Sequence, residues 1–202
     1  MIRTTLTGLL CLLLCACSGT QNRDYMQPDR LYAGLETTKG DIVLELDPAS
    51  APISVANFLT YATRGDYDGT IIHRVVPGFV IQGGGHTPEL TELPGDAPIQ
   101  NEWQNGLKNA RGSIGMARDA DPDSATRQWY INLADNERLD TARDVSGGAG
   151  YAVFGRVVRG MDVVDKIGAV ETYDQEGEGD DVLQDIPVEP VIVKRVRMLE
   201  PR

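Results

Sequence analysis

The side chains best suited to chemistry gather in residues 71–85, which read IIHRVVPGFVIQGGG. This stretch could be a catalytic site, a phosphate loop, a metal site or only a pair of buried strands. His73 lies in an apolar, β-branched run, where a lone histidine is more often a hydrogen-bonded core residue than a ligand. Because side chains alternate along a strand, Arg74 is expected on the face opposite to His73.

Metal binding is disfavoured by the number and spacing of ligands. The chain has two histidines, and its three cysteines all lie in the first 17 residues, so a zinc cluster lacks ligands. Residues 119–130 alternate aspartates as a calcium loop does, but Pro122 stands where the loop must turn and Tyr130 where a bidentate glutamate belongs. The sequence predicts no metal site and no cofactor.

Nucleotide binding and nucleophilic catalysis are also disfavoured. Glycines 83–85 are not followed by a Lys-Ser or Lys-Thr pair, and no G-x-G-x-x-G opens a helix. No G-x-S-x-G elbow occurs, although composition does not exclude a Ser-His-Asp triad. Arg74 and Gln82, beside Phe79 and the apolar and amide residues at 116–117 and 128–130, suit instead a neutral amide that carries an apolar ring.

The elements that must position these residues are mostly short strands. The 202 residues, 41% of them hydrophobic, favour one domain with one packed core. Apolar runs separated by Gly and Pro indicate an all-β sandwich or barrel. Helical spacing appears in two places, which predicts helices over residues 53–63 and 161–167.

The first residues are typical of an export segment. Arg3 precedes a short apolar run, residues 6–14, which is too short to cross a membrane. The end of the segment, Leu-Cys-Ala-Cys at 14–17, resembles the bacterial lipobox. This resemblance implies cleavage after residue 16, lipid on Cys17 and a tether over residues 17–30, followed by a domain over residues 31–200. The expected location is the bacterial outer membrane, facing the periplasm, because Ser18 rather than Asp follows the cysteine.

The charge of the chain limits its partners. The formal net charge is −11, which disfavours nucleic acid, since phosphate contacts need clustered Lys and Arg. Residues 171–181 form an acidic, Gly-rich stretch, for which we favour a solvated loop over a weak cation site.

Three blocks carry a resemblance to a known family: YDGTIIHRVVPGFVIQGGG, NEWQNGLKNARGSIGMARDADPDSATRQWYINLADN and YAVFGRVVRGMDVVDKI. In this order they resemble the cyclophilin family of peptidyl-prolyl isomerases, nearest to the bacterial periplasmic type. The resemblance spans residues 31–199. It implies a closed antiparallel β-barrel of about eight strands capped by two α-helices. It also implies a monomer that assists folding by acting on proline-containing unfolded or partly folded proteins.

The same resemblance implies roles for individual residues. Arg74 would be catalytic, and Gln82 would bind backbone near the proline and help to hold Arg74. The remaining substrate-binding residues would be Phe79, Val80, Tyr130 and Leu139 around the proline ring, Ala117, Arg118 and Gln128 along the preceding peptide, and Tyr151, which stands where many animal members have His. Met116 and Trp129 are expected in the core.

The chain departs from the family pattern at several pocket positions. Tyr130 places a hydroxyl on a wall usually closed by Phe, and Val80 is shorter than the usual Met, so proline affinity is expected to differ. Arg138 replaces the Trp that helps animal members to bind cyclosporin, so weak cyclosporin binding is expected. These changes keep an alternative open, a proline-peptide-binding module or chaperone with little turnover. A hydrolase is disfavoured because no nucleophile constellation is found.

Overall fold

The computed structural model describes residues 30–175 and 182–200. In this part of the chain, ten strands and two α-helices are formed. Their bounds are β1 (Leu31–Thr37), β2 (Gly40–Leu46), α1 (Pro52–Arg64), β3 (Ile71–Val76), β4 (Val80–Gly83), β5 (Ser113–Met116), β6 (Trp129–Asn132), β7 (Val153–Arg159), α2 (Met161–Gly168), β8 (Thr172–Tyr173), β9 (Ile186–Pro187) and β10 (Val191–Leu199). The predicted lipidation residue, Cys17, lies outside the described residues.

Eight of the strands close into an antiparallel barrel. Their order is β1-β10-β3-β4-β6-β5-β7-β2, so the first and last strands are neighbours and β2 completes the ring. Closure leaves no unpaired edge. The predicted eight-stranded barrel with two helices is therefore confirmed. β8 and β9 form a separate two-stranded sheet that the sequence did not predict, and β9 contacts β3.

Both predicted helices are confirmed, with small differences at their ends. Pro52 occupies the first turn of α1, where its missing N–H costs nothing, and Gly65 ends the helix in the left-handed region with φ 76°. Helix α1 packs Val55 and Phe58 into the core, and α2 packs Val164 there. No helix in the described part of the chain is both long and apolar enough to cross a membrane.

Aliphatic residues make up most of the core, and aromatic side chains, including Trp129, pack among them. The Trp129 side chain is fully buried, and Met116 is 2% exposed, so both are core residues as predicted. The Phe58 ring lies 5.3 Å from the Tyr67 ring and 5.5 Å from the Phe154 ring, centroid to centroid. These separations are typical of favourable aromatic pairs.

The glycines that end the 71–85 stretch are close-approach positions. A Cβ at Gly84, where φ is +88°, would lie 2.8 Å from the Trp129 Nε1, and a Cβ at Gly85 would lie 2.6 Å from Gln128. Side chains at these positions would collide with β6 and the residue before it. The glycines therefore allow the chain that follows β4 to pass close to Trp129 and Gln128.

The pairing of β3 with β4 contains a β-bulge at His73. Ile72 pairs with Gly83 and Arg74 pairs with Gln82, so His73 is the extra residue. A bulge interrupts simple alternation, because two residues face one on the partner strand. The expectation that Arg74 and His73 lie on opposite faces is therefore wrong, and both line one cavity.

Arg127 joins three separate segments beside the barrel. Its side chain is buried, with Nε donating to the Gly84 carbonyl at 2.7 Å, Nη1 to Pro94 at 3.1 Å and Nη2 to Asp66 at 2.5 Å. The Tyr67 hydroxyl in turn donates to the carbonyl of Arg127 at 3.0 Å. Arg127 therefore has a structural role.

We expect Arg127→Ala to lower the free energy of unfolding by about 3 kcal/mol or more, because three carbonyls lose charged donors. Urea denaturation of the purified protein measures this change. The matched control is Arg156→Ala, which removes an exposed pair with Glu45 and should cost less than about 1 kcal/mol. Equal losses in the two variants would contradict the structural role.

Candidate active site

A cavity of about 190 Å³ opens on the outer face of β3, β4 and β6. Nine of the ten residues predicted for catalysis and substrate binding line it: Arg74, Phe79, Val80, Gln82, Ala117, Arg118, Tyr130, Leu139 and Tyr151. Gln128 lines a neighbouring cavity of about 600 Å³, which shares Arg74 and Gln82 with the first. The structure thus brings the predicted residues together.

One half of the cavity is apolar. Val80, Tyr130 and Leu139 form a small buried cluster of their own, against which Phe79 and other apolar side chains pack. Leu139 belongs to the short 3₁₀ turn Glu137–Asp140, so a loop completes a pocket whose other walls come from the barrel. A pocket of this composition can hold an apolar ring.

The hydroxyl of Tyr130 has a partner that does not line the cavity. It donates to the Asn109 Oδ1 at 2.5 Å, and the Asn132 Nδ2 donates to the same oxygen at 3.1 Å. Burial raises the pKa of Tyr130 well above its ordinary value, so the phenol stays neutral. The hydroxyl therefore adds no charge to the pocket.

A chain of buried asparagines, not predicted from the sequence, supports this wall. The Asn136 side-chain amide donates to the Asn132 Oδ1 at 2.6 Å and to the Phe79 carbonyl at 2.9 Å. The Asn109 amide donates to the Asp140 Oδ1 at 2.8 Å. A polar Asn132 inside the apolar run WYINLA is the sequence feature that could have pointed to this network.

The polar half of the cavity is arranged differently from the expectation. The Gln82 Nε2 donates to the Gln128 Oε1 at 2.9 Å. Within residues 30–175 and 182–200, no hydrogen bond joins Gln82 to Arg74. The Arg74 Nε instead lies 3.5 Å from the Asp185 Oδ2. Asp185 was not among the residues predicted from the sequence.

Two arginines stack on aromatic walls of the cavity. The Arg118 guanidinium lies 4.2 Å from the Tyr151 ring centroid, and its Nη2 faces the carbonyls of Ser146, Ala149 and Gly150, each at 3.0 Å. The Arg138 guanidinium lies 4.3 Å from the Phe79 ring centroid. Each cation is held in place by a ring face and adds positive charge to the rim.

The two histidines form a buried pair next to Arg74. Their ring centroids are 4.3 Å apart, and His73 is 3% exposed. Burial, together with His86 and Arg74, lowers the pKa of His73 to about 3. His73 is therefore a neutral core residue. Its Nδ1 has no hydrogen-bond partner among the described residues, and no three metal-ligating side chains cluster there.

The buried His73 should make the protein less stable in acid. An unfolded histidine has a pKa of 6.5, so between pH 6.5 and about 3 only the unfolded state takes up the proton. The free energy of unfolding should therefore fall as pH falls, by up to about 1.4 kcal/mol per pH unit from this residue. His73→Asn should show a shallower slope than the wild type in urea denaturation between pH 6 and 4. Coincident slopes would show that His73 is protonated in the folded protein.

Comparisons with known proteins agree with this architecture. A sequence model of the family described as cyclophilin type peptidyl-prolyl cis-trans isomerase/CLD matches residues 32–198. A peptidyl-prolyl cis-trans isomerase of Streptomyces antibioticus is 50% identical over 165 residues, covering 82% of this chain and 96% of the relative. Peptidyl-prolyl cis-trans isomerase B of Escherichia coli K12 is 47% identical over 164 residues, covering 81% and 97%.

The fold is shared with a solved structure. A cyclophilin type isomerase of Cryptosporidium parvum, crystallised in the presence of the dipeptide Ala-Pro, superposes with a TM-score of 0.69. The superposition covers 84% of this chain and 99% of that structure, at 23% sequence identity. Together with the matches in sequence, it shows that this chain belongs to the cyclophilin family of peptidyl-prolyl cis-trans isomerases.

Proposed function

We propose that this isomerase uses Arg74 to rotate X-Pro bonds in unfolded or partly folded envelope proteins. The observation that carries the proposal is the placement of Arg74 at the edge of a cavity whose opposite walls are apolar. With this arrangement, the guanidinium can donate to the peptide bond while the apolar pocket binds the proline ring.

Catalysis of X-Pro bond rotation requires mainly that the enzyme stabilise the twisted amide. An X-Pro bond rotates against a barrier of about 18–20 kcal/mol, because resonance gives the C–N bond double-bond character. In the twisted state the prolyl nitrogen becomes pyramidal and regains its lone pair. A fixed N–H donor can bond this lone pair in the twisted state but not in the planar one, which lowers the barrier.

The other cavity residues would hold the substrate while one side of the bond turns. Phe79, Val80, Tyr130 and Leu139 would enclose the proline ring, and the neutral Tyr130 hydroxyl would stay bonded to Asn109. Ala117, Arg118 and Gln128 would contact the peptide before the proline, with Gln82 and Tyr151 at its sides. The Cryptosporidium parvum relative was crystallised in the presence of a short peptide of this kind, the dipeptide Ala-Pro.

The cellular setting of the proposal rests on the leader sequence. Cleavage after residue 16 would leave Cys17 as the new first residue, with lipid on its thiol and amino group. Two or three acyl chains hold a protein firmly at a bilayer surface. Residues 17–30 are polar and would tether the barrel to the outer membrane on its periplasmic side.

Arg74→Ala should reduce catalysis of cis-to-trans relaxation of an Ala-Pro peptide by about 100-fold or more, because one transition-state donor is lost. The measurement is the relaxation rate above the buffer rate. The control is Arg195→Ala, which removes an exposed arginine paired with Glu36 and should not change the rate. Equal acceleration by wild type and Arg74→Ala would remove Arg74 from the mechanism. Peptide binding without acceleration by the wild type would favour the alternative, a binding module.

Cys17→Ser should abolish lipid attachment, because serine lacks the thiol that receives the diacylglycerol. Metabolic labelling with palmitate in a bacterial host measures it, with Cys15→Ser as the matched control that keeps its label. Unchanged labelling of Cys17→Ser would rule out the lipoprotein proposal and leave the isomerase proposal untouched.

A further inference from the structure

Among the residues that the structure describes, one carboxylate approaches the guanidinium of Arg74, that of Asp185. The Arg74 Nε lies 3.5 Å from the Asp185 Oδ2, and the two side chains are 36% and 35% exposed. In the described ranges of the chain, the Asp185 carboxylate is the one polar group paired with the Arg74 guanidinium. An arginine has five N–H donors in a rigid fork, so a carboxylate at Nε leaves the two terminal nitrogens available to the cavity.

Asp185 is itself held by two hydrogen bonds made by its own backbone. Its carbonyl accepts the Val75 N–H at 2.9 Å, one residue beyond Arg74 in β3. Its own N–H donates to the Asp174 Oδ1 at 3.0 Å. Its φ of +55° lies in the left-handed region, which aspartate and asparagine tolerate better than most residues. Asp185 therefore reaches Arg74 from a segment tied directly to the strand that carries Arg74.

The two-stranded sheet of β8 and β9 explains how the segment is anchored. Ile186, the next residue, begins β9, is 2% exposed and pairs with Tyr173 of β8. Because β9 contacts β3, the carboxylate is positioned by packing and does not depend on a free loop. This small sheet lies outside the barrel, so its contribution to the site is separate from barrel closure.

The ion pair between Arg74 and Asp185 is not explained by a contribution to folding stability. Ion pairs between side chains that are one-third exposed contribute little to folding, because water screens them. Orientation is a stronger effect, since a catalytic group displaced by about 1 Å can lose two orders of magnitude in rate. Gln82 does not supply that orientation, because its amide is bonded to Gln128 and no hydrogen bond joins it to Arg74 among the described residues.

We propose that Asp185 is the positioning residue for Arg74: it fixes the guanidinium at Nε so that the terminal N–H groups face the prolyl nitrogen. The inference rests on the proposed role of Arg74. Asp185 does not line the cavity, so its loss affects the turnover of bound peptide and leaves peptide binding nearly unchanged.

The test uses Asp185→Asn, because asparagine keeps the left-handed backbone and removes only the charge. We expect kcat to fall about five-fold with KM within about two-fold of wild type, since the guanidinium becomes less well oriented. The matched control is Glu189→Gln, four residues after Asp185. This change removes an exposed ion pair with Lys39 and should leave kcat and KM unchanged.

A second measurement reports on the pair without catalysis. The NMR signal of the Arg74 Nε–H, assigned by its loss in Arg74→Lys, should shift in Asp185→Asn and stay in place in Glu189→Gln. Unchanged kcat in Asp185→Asn, a rise in KM alone or an unmoved Nε–H signal would each overturn the positioning role. Failure of the proposed role of Arg74 would be recognised separately, by full activity of Arg74→Ala.

Discussion

Apolar side chains occupy the interior of the closed barrel, and this constraint decides where a site can lie. Strand β6 shows it directly, because Trp129 and Ile131 belong to the core while Tyr130 belongs to the separate pocket cluster. All four residues of β6 are buried, so both faces of this strand are covered. The functional side chains must therefore stand on the outer face of the barrel, where loops can enclose them.

The loops that enclose the outer face bury polar groups there. The same loops supply hydrogen-bond partners for these groups. Asn109 accepts from both Tyr130 and Asn132, and Asn136 caps the carbonyl of Phe79. Without these partners, each buried group would cost about 1–3 kcal/mol. The apolar pocket wall thus depends on a polar network behind it. The hydroxyl of Tyr130, which was expected to alter the pocket wall, belongs to that network.

Three arginines near this site have different roles. Arg127 joins three segments through backbone carbonyls, and Arg118 braces the 146–150 loop against Tyr151. Arg74 has a carboxylate at one edge of its guanidinium and the cavity beside it. Its neighbour His73 stays neutral, so Arg74 faces no second positive charge from that side chain.

By itself, the sequence determined the barrel fold, both helices and all nine residues that line the cavity of about 190 Å³, while the tenth predicted residue, Gln128, lines the neighbouring one. Hydrophobic periodicity and the positions of Gly and Pro are local properties, and three blocks of sequence carry the resemblance to the family. Only the tertiary structure decided the bulge at His73, the partner of the Tyr130 hydroxyl, the clamp at Arg127 and the pairing of Arg74 with Asp185. The physical reason is that each of these joins side chains or strands brought together by barrel closure and loop packing, which no spacing along the chain records.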